Sequence, residues 1–129
     1  MTLALWCVML AAILPRLANP GDPLSAFSAA SRAIRARAIA ILERVLGDAG
    51  LPADAVPVAA SALWLLELAA MLVYVTDDSA GQARTHGLVD DALDMIVPML
   101  PFLATPMGRA LCTQATAALS RAGITLASG

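Results

Sequence analysis

The chain predicts an all-α fold of about five helices, arranged as an antiparallel bundle. Three observations carry this. Apolar residues recur at steps of three and four, alanine is abundant, and proline, glycine and aspartate divide the chain into segments long enough for helices. Strand-like alternation is absent, and no period of roughly 20 to 50 residues repeats. With 129 residues the chain falls in the range of one domain, so 1–129 reads as a single unit.

The first helix is expected from Leu3 to Leu14, broken at Pro15, with a turn at Asn19-Pro20-Gly21. Its apolar run lacks the charged stretch and small-residue cleavage site of a secretion signal, so a packed helix is the reading. The second takes Asp22 as N-cap and Pro23 as first residue, and runs to Leu46, stopping before Gly47. Phe27, Ala30, Ile34, Ala38, Ile41 and Val45 form its expected core stripe. Arg32, Arg35, Arg37 and Arg44 lie off that stripe and read as a solvated face.

After a loop from Gly47 to Pro52, Asp54 is the expected cap of a third helix, Ala55 to Thr76. This helix is apolar all round, which predicts burial on every side, in an assembly or in a bilayer. The fourth, Arg84 to about Leu100, has Leu88, Val89, Ala92, Leu93, Ile96 and Leu100 on one half-wheel. Arg84, His86, Asp90, Asp91 and Asp94 lie on the other. Pro98 and Pro101 should kink or end it, and Thr105-Pro106 should start a last helix to about Ala122.

Composition narrows function. Hydrophobic residues are 60% of the chain and charged residues 14%, against about a quarter charged in ordinary soluble domains. So much apolar surface calls for a protein partner or lipid. The eight basic residues are all arginine and the formal charge is −2, which gives no polycationic strip for direct nucleic-acid binding. Cys7 and Cys112 lie in apolar or small-residue surroundings and read as free cysteines.

No catalytic constellation is expected, and the chain reads as a non-enzyme without metal or cofactor. His86 and Asp90 share a helix face but are only two ligands. Asp90, Asp91 and Asp94 fit a wet helix face better than an acid/base pair. Glu67, the one charge between Ala55 and Val75, should be paired within the fold, with Arg16 or Arg35 as candidates, or should point into a polar pocket. The Trp64, Glu67, Met71, Tyr74 face mixes bulky contacts with one charge and is the expected small-molecule site.

The run Leu63-Trp64-Leu65-Leu66-Glu67-Leu68 is followed by Tyr74, by Asp77-Asp78-Ser79-Ala80-Gly81-Gln82-Ala83-Arg84-Thr85, by Leu88-Val89-Asp90 and by Val97-Pro98-Met99-Leu100. This order resembles the C-terminal half of tetracycline-repressor-type (TetR) regulators, most strongly over 63–100. Ala80, Asp78 and Glu67 depart from the residues frequent there. The resemblance implies a ligand-sensing, dimerising helical domain that takes a small apolar effector, in a cytoplasmic protein. It implies a homodimer, or a heterodimer with a full-length relative, through the two helices that flank the loop. Leu65, Leu68 and Leu72 of one and Leu88, Val89, Ala92, Leu93, Ile96 and Leu100 of the other are the candidate interface residues. No helix-turn-helix precedes these helices in the sequence, so a truncated or split regulator without its own DNA reader is expected. The alternative is a small integral membrane protein with one or two inserted helices. The third helix, at about 33 Å, is long enough for this, but Glu67 sits near its middle.

Overall fold

The computed structural model describes residues 8, 9, 12, 13, 15, 16, 19 and 21–121. Most of the expected first helix, Cys7 with it, lies outside these residues. Pro15 and Arg16, where the break is expected, are themselves helical. Among the described residues every regular element is helical: α1 Arg32–Asp48, α2 Val56–Thr76, α3 Ala83–Ile96 and α4 Pro106–Arg121. Helix α3 continues through a 3-10 turn, Val97–Met99, and one α-turn, Leu100–Leu103.

The second expected helix begins at Arg32, nine residues later than Pro23. Asp22 does accept a hydrogen bond from the Leu24 amide at 2.9 Å, as a cap would, but its other oxygen holds Arg16 at 2.8 Å. These two contacts, the amide first, keep its carboxyl below the usual range. Three serines spaced three apart then compete with the helix. Ser31 Oγ donates to the Ser25 carbonyl at 2.6 Å, Ser28 Oγ donates to the same carbonyl at 2.9 Å, and Ser25 Oγ accepts from the Phe27 amide at 3.1 Å. Side-chain bonds to these groups compete with an i→i+4 ladder, and the segment settles into successive turns, the Ser28 amide closing on the Ser25 carbonyl at 3.1 Å.

The late start changes which face of α1 is buried. Ile39 is buried, and Ala38, Leu42 and Leu46 pack with it against Ala60 and Trp64 of α2. Ile34, Ile41 and Val45, expected in the core, are 73%, 55% and 56% exposed. Phe27 does reach the core, edge-on to Trp64 with ring centroids 5.6 Å apart. The helix also runs past Gly47 to Asp48 and ends at Gly50, whose φ of 87° supplies the left-handed residue of a Schellman close. There the Leu51 amide returns to the Leu46 carbonyl at 3.1 Å.

Helix α2 starts one residue inside the expected boundary, and Asp54 does not cap it. The N-cap is Ala55, while Asp54 pairs with Arg109 of α4 at 3.1 Å. Ile39 lies nine residues before the end of α1 and its neighbour Trp64 eight after the start of α2, so the two helices are antiparallel. Helix α3 packs on α2 as well, which makes α2 the middle of a three-helix layer. The expectation of burial on every side fails. Only Ala59, Ala60, Ser61 and Trp64 of α2 are buried, and among the described residues α1 and α3 are its main neighbours.

At the far end the chain bends by 112° between Leu103 and Pro106. Pro98 and Pro101 withhold two amide donors three residues apart, and the ladder tightens to 3-10 and stops. Thr105 Oγ1 donates to the Phe102 carbonyl at 2.7 Å and accepts from the Gly108 amide at 3.1 Å, capping α4 as expected. Gly108 fits because it lacks a side chain: a Cβ would stand 2.2 Å from the Phe102 carbonyl oxygen. Gly47, inside α1, faces open space. Gly108→Ala should therefore destabilise the protein by about 1–3 kcal/mol, and Gly47→Ala should stabilise it by about 0.5–1 kcal/mol. Urea unfolding of both variants checks the pair, and effects of equal sign would refute it.

Candidate functional site

Helices α2 and α3 form a helical hairpin, and the junction between them is built on one carboxylate. Asp77 ends α2 in extended conformation and accepts four hydrogen bonds. They come from the Ser79 amide at 3.0 Å, the Ser79 hydroxyl, the Thr85 amide at 2.8 Å and the Thr85 hydroxyl at 2.7 Å. Ser79 Oγ in turn accepts from the Arg84 amide at 3.2 Å.

The amides of Arg84 and Thr85 are unpaired donors of the first turn of α3. They are satisfied by residues 79 and 77 and not by Gln82, the residue at the N-cap position. Gln82 instead adopts a left-handed conformation (φ 51°) beside left-handed Gly81 (φ 63°), which turns the chain tightly enough to bring Asp77 over the start of α3. A negative charge at that end also suits the helix dipole. The Ser79 hydroxyl most, then the Thr85 hydroxyl and amide and the Ser79 amide, hold the Asp77 carboxyl far below the usual carboxylate range. Arg84 and Asp78 add an exposed ion pair at 2.9 Å.

The structure divides the expected small-molecule face. Trp64 is buried in the core against Phe27, while Glu67, Met71 and Tyr74, further along α2, are exposed. Glu67 meets neither proposed arginine. Arg16 holds Asp22, and Arg35 donates to the Ala26 carbonyl at 2.6 Å. Solvent, and not a buried partner, carries the charge of Glu67.

Of the expected interface residues, Leu65, Leu72 and Leu93 are exposed. Leu68, Leu88, Val89, Ala92, Ile96 and Leu100 are half-buried within the chain, Leu68 against the core of α1 and α2. Helix α2 thus has two covered strips, Trp64 with Leu68 and Leu66 with Ala70 and Val73. Two open strips separate them, Leu65 with Leu72 and Met71 with Tyr74.

His86, Asp90, Asp91 and Asp94 are exposed on α3. Among the described residues no group of three or more histidine, cysteine, aspartate or glutamate side chains could hold a metal ion. Cys112 is buried and free. The role of Asp77 escaped the sequence reading, although its signal was present: an aspartate with serine two residues on and threonine eight on, ahead of a helix without a capping side chain of its own.

Comparison with protein-family models, curated protein sequences and solved structures finds no match to this chain.

The lowered Asp77 carboxyl fixes a pH dependence. In the unfolded chain the group titrates near its ordinary value of about 3.9, and in the folded chain well below it. Its contribution is therefore complete above that ordinary value and is lost as pH falls through about 4 toward the folded-state value. Asp77→Asn should lower the urea midpoint at pH 7 and flatten the decline of stability between about pH 5 and 2, leaving the smaller part due to Asp22. A variant with the parent's full acid slope would overturn this assignment.

Proposed function

We propose that this chain is the dimerising, effector-sensing domain of a TetR-type regulator. The observation that carries the reading is the hairpin. The run resembling that family folds as two helices held at a fixed junction by Asp77, and apolar residues of both helices, Leu65, Leu72 and Leu93, remain open to solvent. A rigid helix pair with uncovered leucines is suited to meet the same pair of a second copy, since a two-fold interface returns to each chain the patch it presents. The partner is a second copy or a full-length relative.

The effector is a small, mostly apolar molecule. On α2, Met71 offers an adaptable apolar contact, while Glu67 and Tyr74 beside it offer polar handles. A ligand seated there lies about one to three helical turns from Trp64, near enough at its Glu67 end for the Trp64–Phe27 contact to report it. The chain does not itself read nucleic acid, because its arginines are scattered over several elements and no lysine supplements them.

A second reading has one observation in its favour. Helix α2 is 21 residues long with a mean hydropathy of 2.0 and only 22% of its most apolar window buried, which suits a bilayer as well as a partner. Glu67 near its midpoint weighs against insertion, at about 2.5–3.5 kcal/mol for a charge at the bilayer centre. Pelleting with membranes after carbonate extraction would favour insertion over the regulator reading.

The proposal expects a dimer in sedimentation at micromolar concentration. Leu93→Glu should weaken it at least ~100-fold, equivalent to about 2.8 kcal/mol, while Asp91→Asn leaves it intact. In a Trp6→Phe background, Trp64 emission should shift with some members of a panel of hydrophobic ligands. A monodisperse parent monomer that responds to none of them would remove the reading.

A further inference from the structure

Helix α1 carries an apolar seam that lies largely open, with only Ala38 packed on the core. Ile34, Ala38, Ile41 and Val45 follow the four-three-four spacing of a coiled-coil seam, yet Ile34, Ile41 and Val45 are more than half exposed. Arg37 and Arg44 each precede a seam residue by one position, where coiled coils place the charges that choose their partners. Both are exposed, and neither makes an ion pair among the described residues.

Helix α3 carries the converse. Leu93 and Val97 are exposed apolar residues four apart, flanked by exposed Asp90 and Asp94, which are likewise free of ion pairs among the described residues. The two patches match in chemistry but cannot meet within one chain, because α2 stands between α1 and α3.

Their sides of the layer also agree. Short connections make α1 and α3 both antiparallel to α2, hence parallel to each other. At about 100° per residue, the α1 seam lies roughly a quarter turn from the Ile39, Leu42, Leu46 face in one sense. Leu93 lies roughly a quarter turn from the Leu88, Ala92, Ile96 face in the other. The faces that look at α2 point in opposite directions, so opposite turns bring seam and leucine to the same side of the layer.

We infer that the α1 seam docks on α3 of a second copy, Arg37 and Arg44 facing the partner's Asp90 and Asp94, with the two-fold axis running along α2. The alternative axis, across the helices, would set α1 on α1 and oppose arginine to arginine. The inference rests on the dimer proposed above and shares Leu93 with it, but by the same geometry the α2 strip between the copies is Glu67, Met71 and Tyr74, while Leu65 and Leu72 face the other side of the layer.

Charge reversal tests it, using exposed residues whose replacement leaves the fold intact by circular dichroism. Arg37→Glu with Arg44→Glu should weaken self-association of the full chain at least tenfold, and so should Asp90→Arg with Asp94→Arg. Mixing the two double variants should restore a one-to-one dimer of parental affinity, because both α1–α3 contacts then join opposite charges. Light scattering after gel filtration reads all three samples against the 13.2 kDa monomer. If the parent is dimeric and either double variant dimerises as tightly as the parent, or the mixture associates no better than its components, the α1–α3 docking is overturned while the dimer stands. If the parent is monomeric, both fall.

Discussion

Helix α2 has more apolar circumference than the described residues have neighbours to set against it. A helix hydrophobic on all sides is stable only where every side is covered, and this layer covers two. That shortfall orders the rest of the molecule. The side toward α1 takes Trp64 and the small Ala60, which cluster with Ile39. The side toward α3 takes medium-sized aliphatics. What remains is a pair of open strips on opposite surfaces of a thin layer, Leu65 with Leu72 on one and Met71 and Tyr74 around the charge of Glu67 on the other.

The Asp77 junction keeps those strips useful. A flexible connection would let α3 rotate and bury its leucines on α2 at the expense of geometry. Here a carboxylate takes two amides and two hydroxyls, with backbone in left-handed conformation at Gly81 and Gln82, and fixes the angle at which α3 leaves. The open leucines are thus held open by hydrogen bonds several residues away.

Much of this was readable from the chain, and the misreadings share a cause. Helix α2, the Thr105 cap and the amphipathic α3 with its wet aspartates follow from periodicity and capping chemistry, both of which are local. Helix α1 was misjudged because Ser25, Ser28 and Ser31 satisfy one another's backbone in three dimensions, which spacing alone does not reveal. Moving its start to Arg32 handed the core to Ile39 and Leu42 and left Ile34 and Ile41 outside. Asp54 looked like a cap because nothing in the sequence places Arg109 beside it. Glu67 looked buried because apolar neighbours in sequence were taken for apolar neighbours in space.

Helix α4 is attached differently from the rest. Beyond its bend at Thr105, it returns to the start of α2 through the exposed Asp54–Arg109 pair, a contact of the kind worth about 0–1 kcal/mol. Little else ties it down except the buried patch around Gly108 and Cys112. The three-helix layer does not need α4 in order to close, so this helix could open while the layer stays intact. Such an opening would bare the buried Cys112 thiol, and the rate at which that sulfur is alkylated would then time events at one end of the molecule, independent of whatever covers the layer at the other.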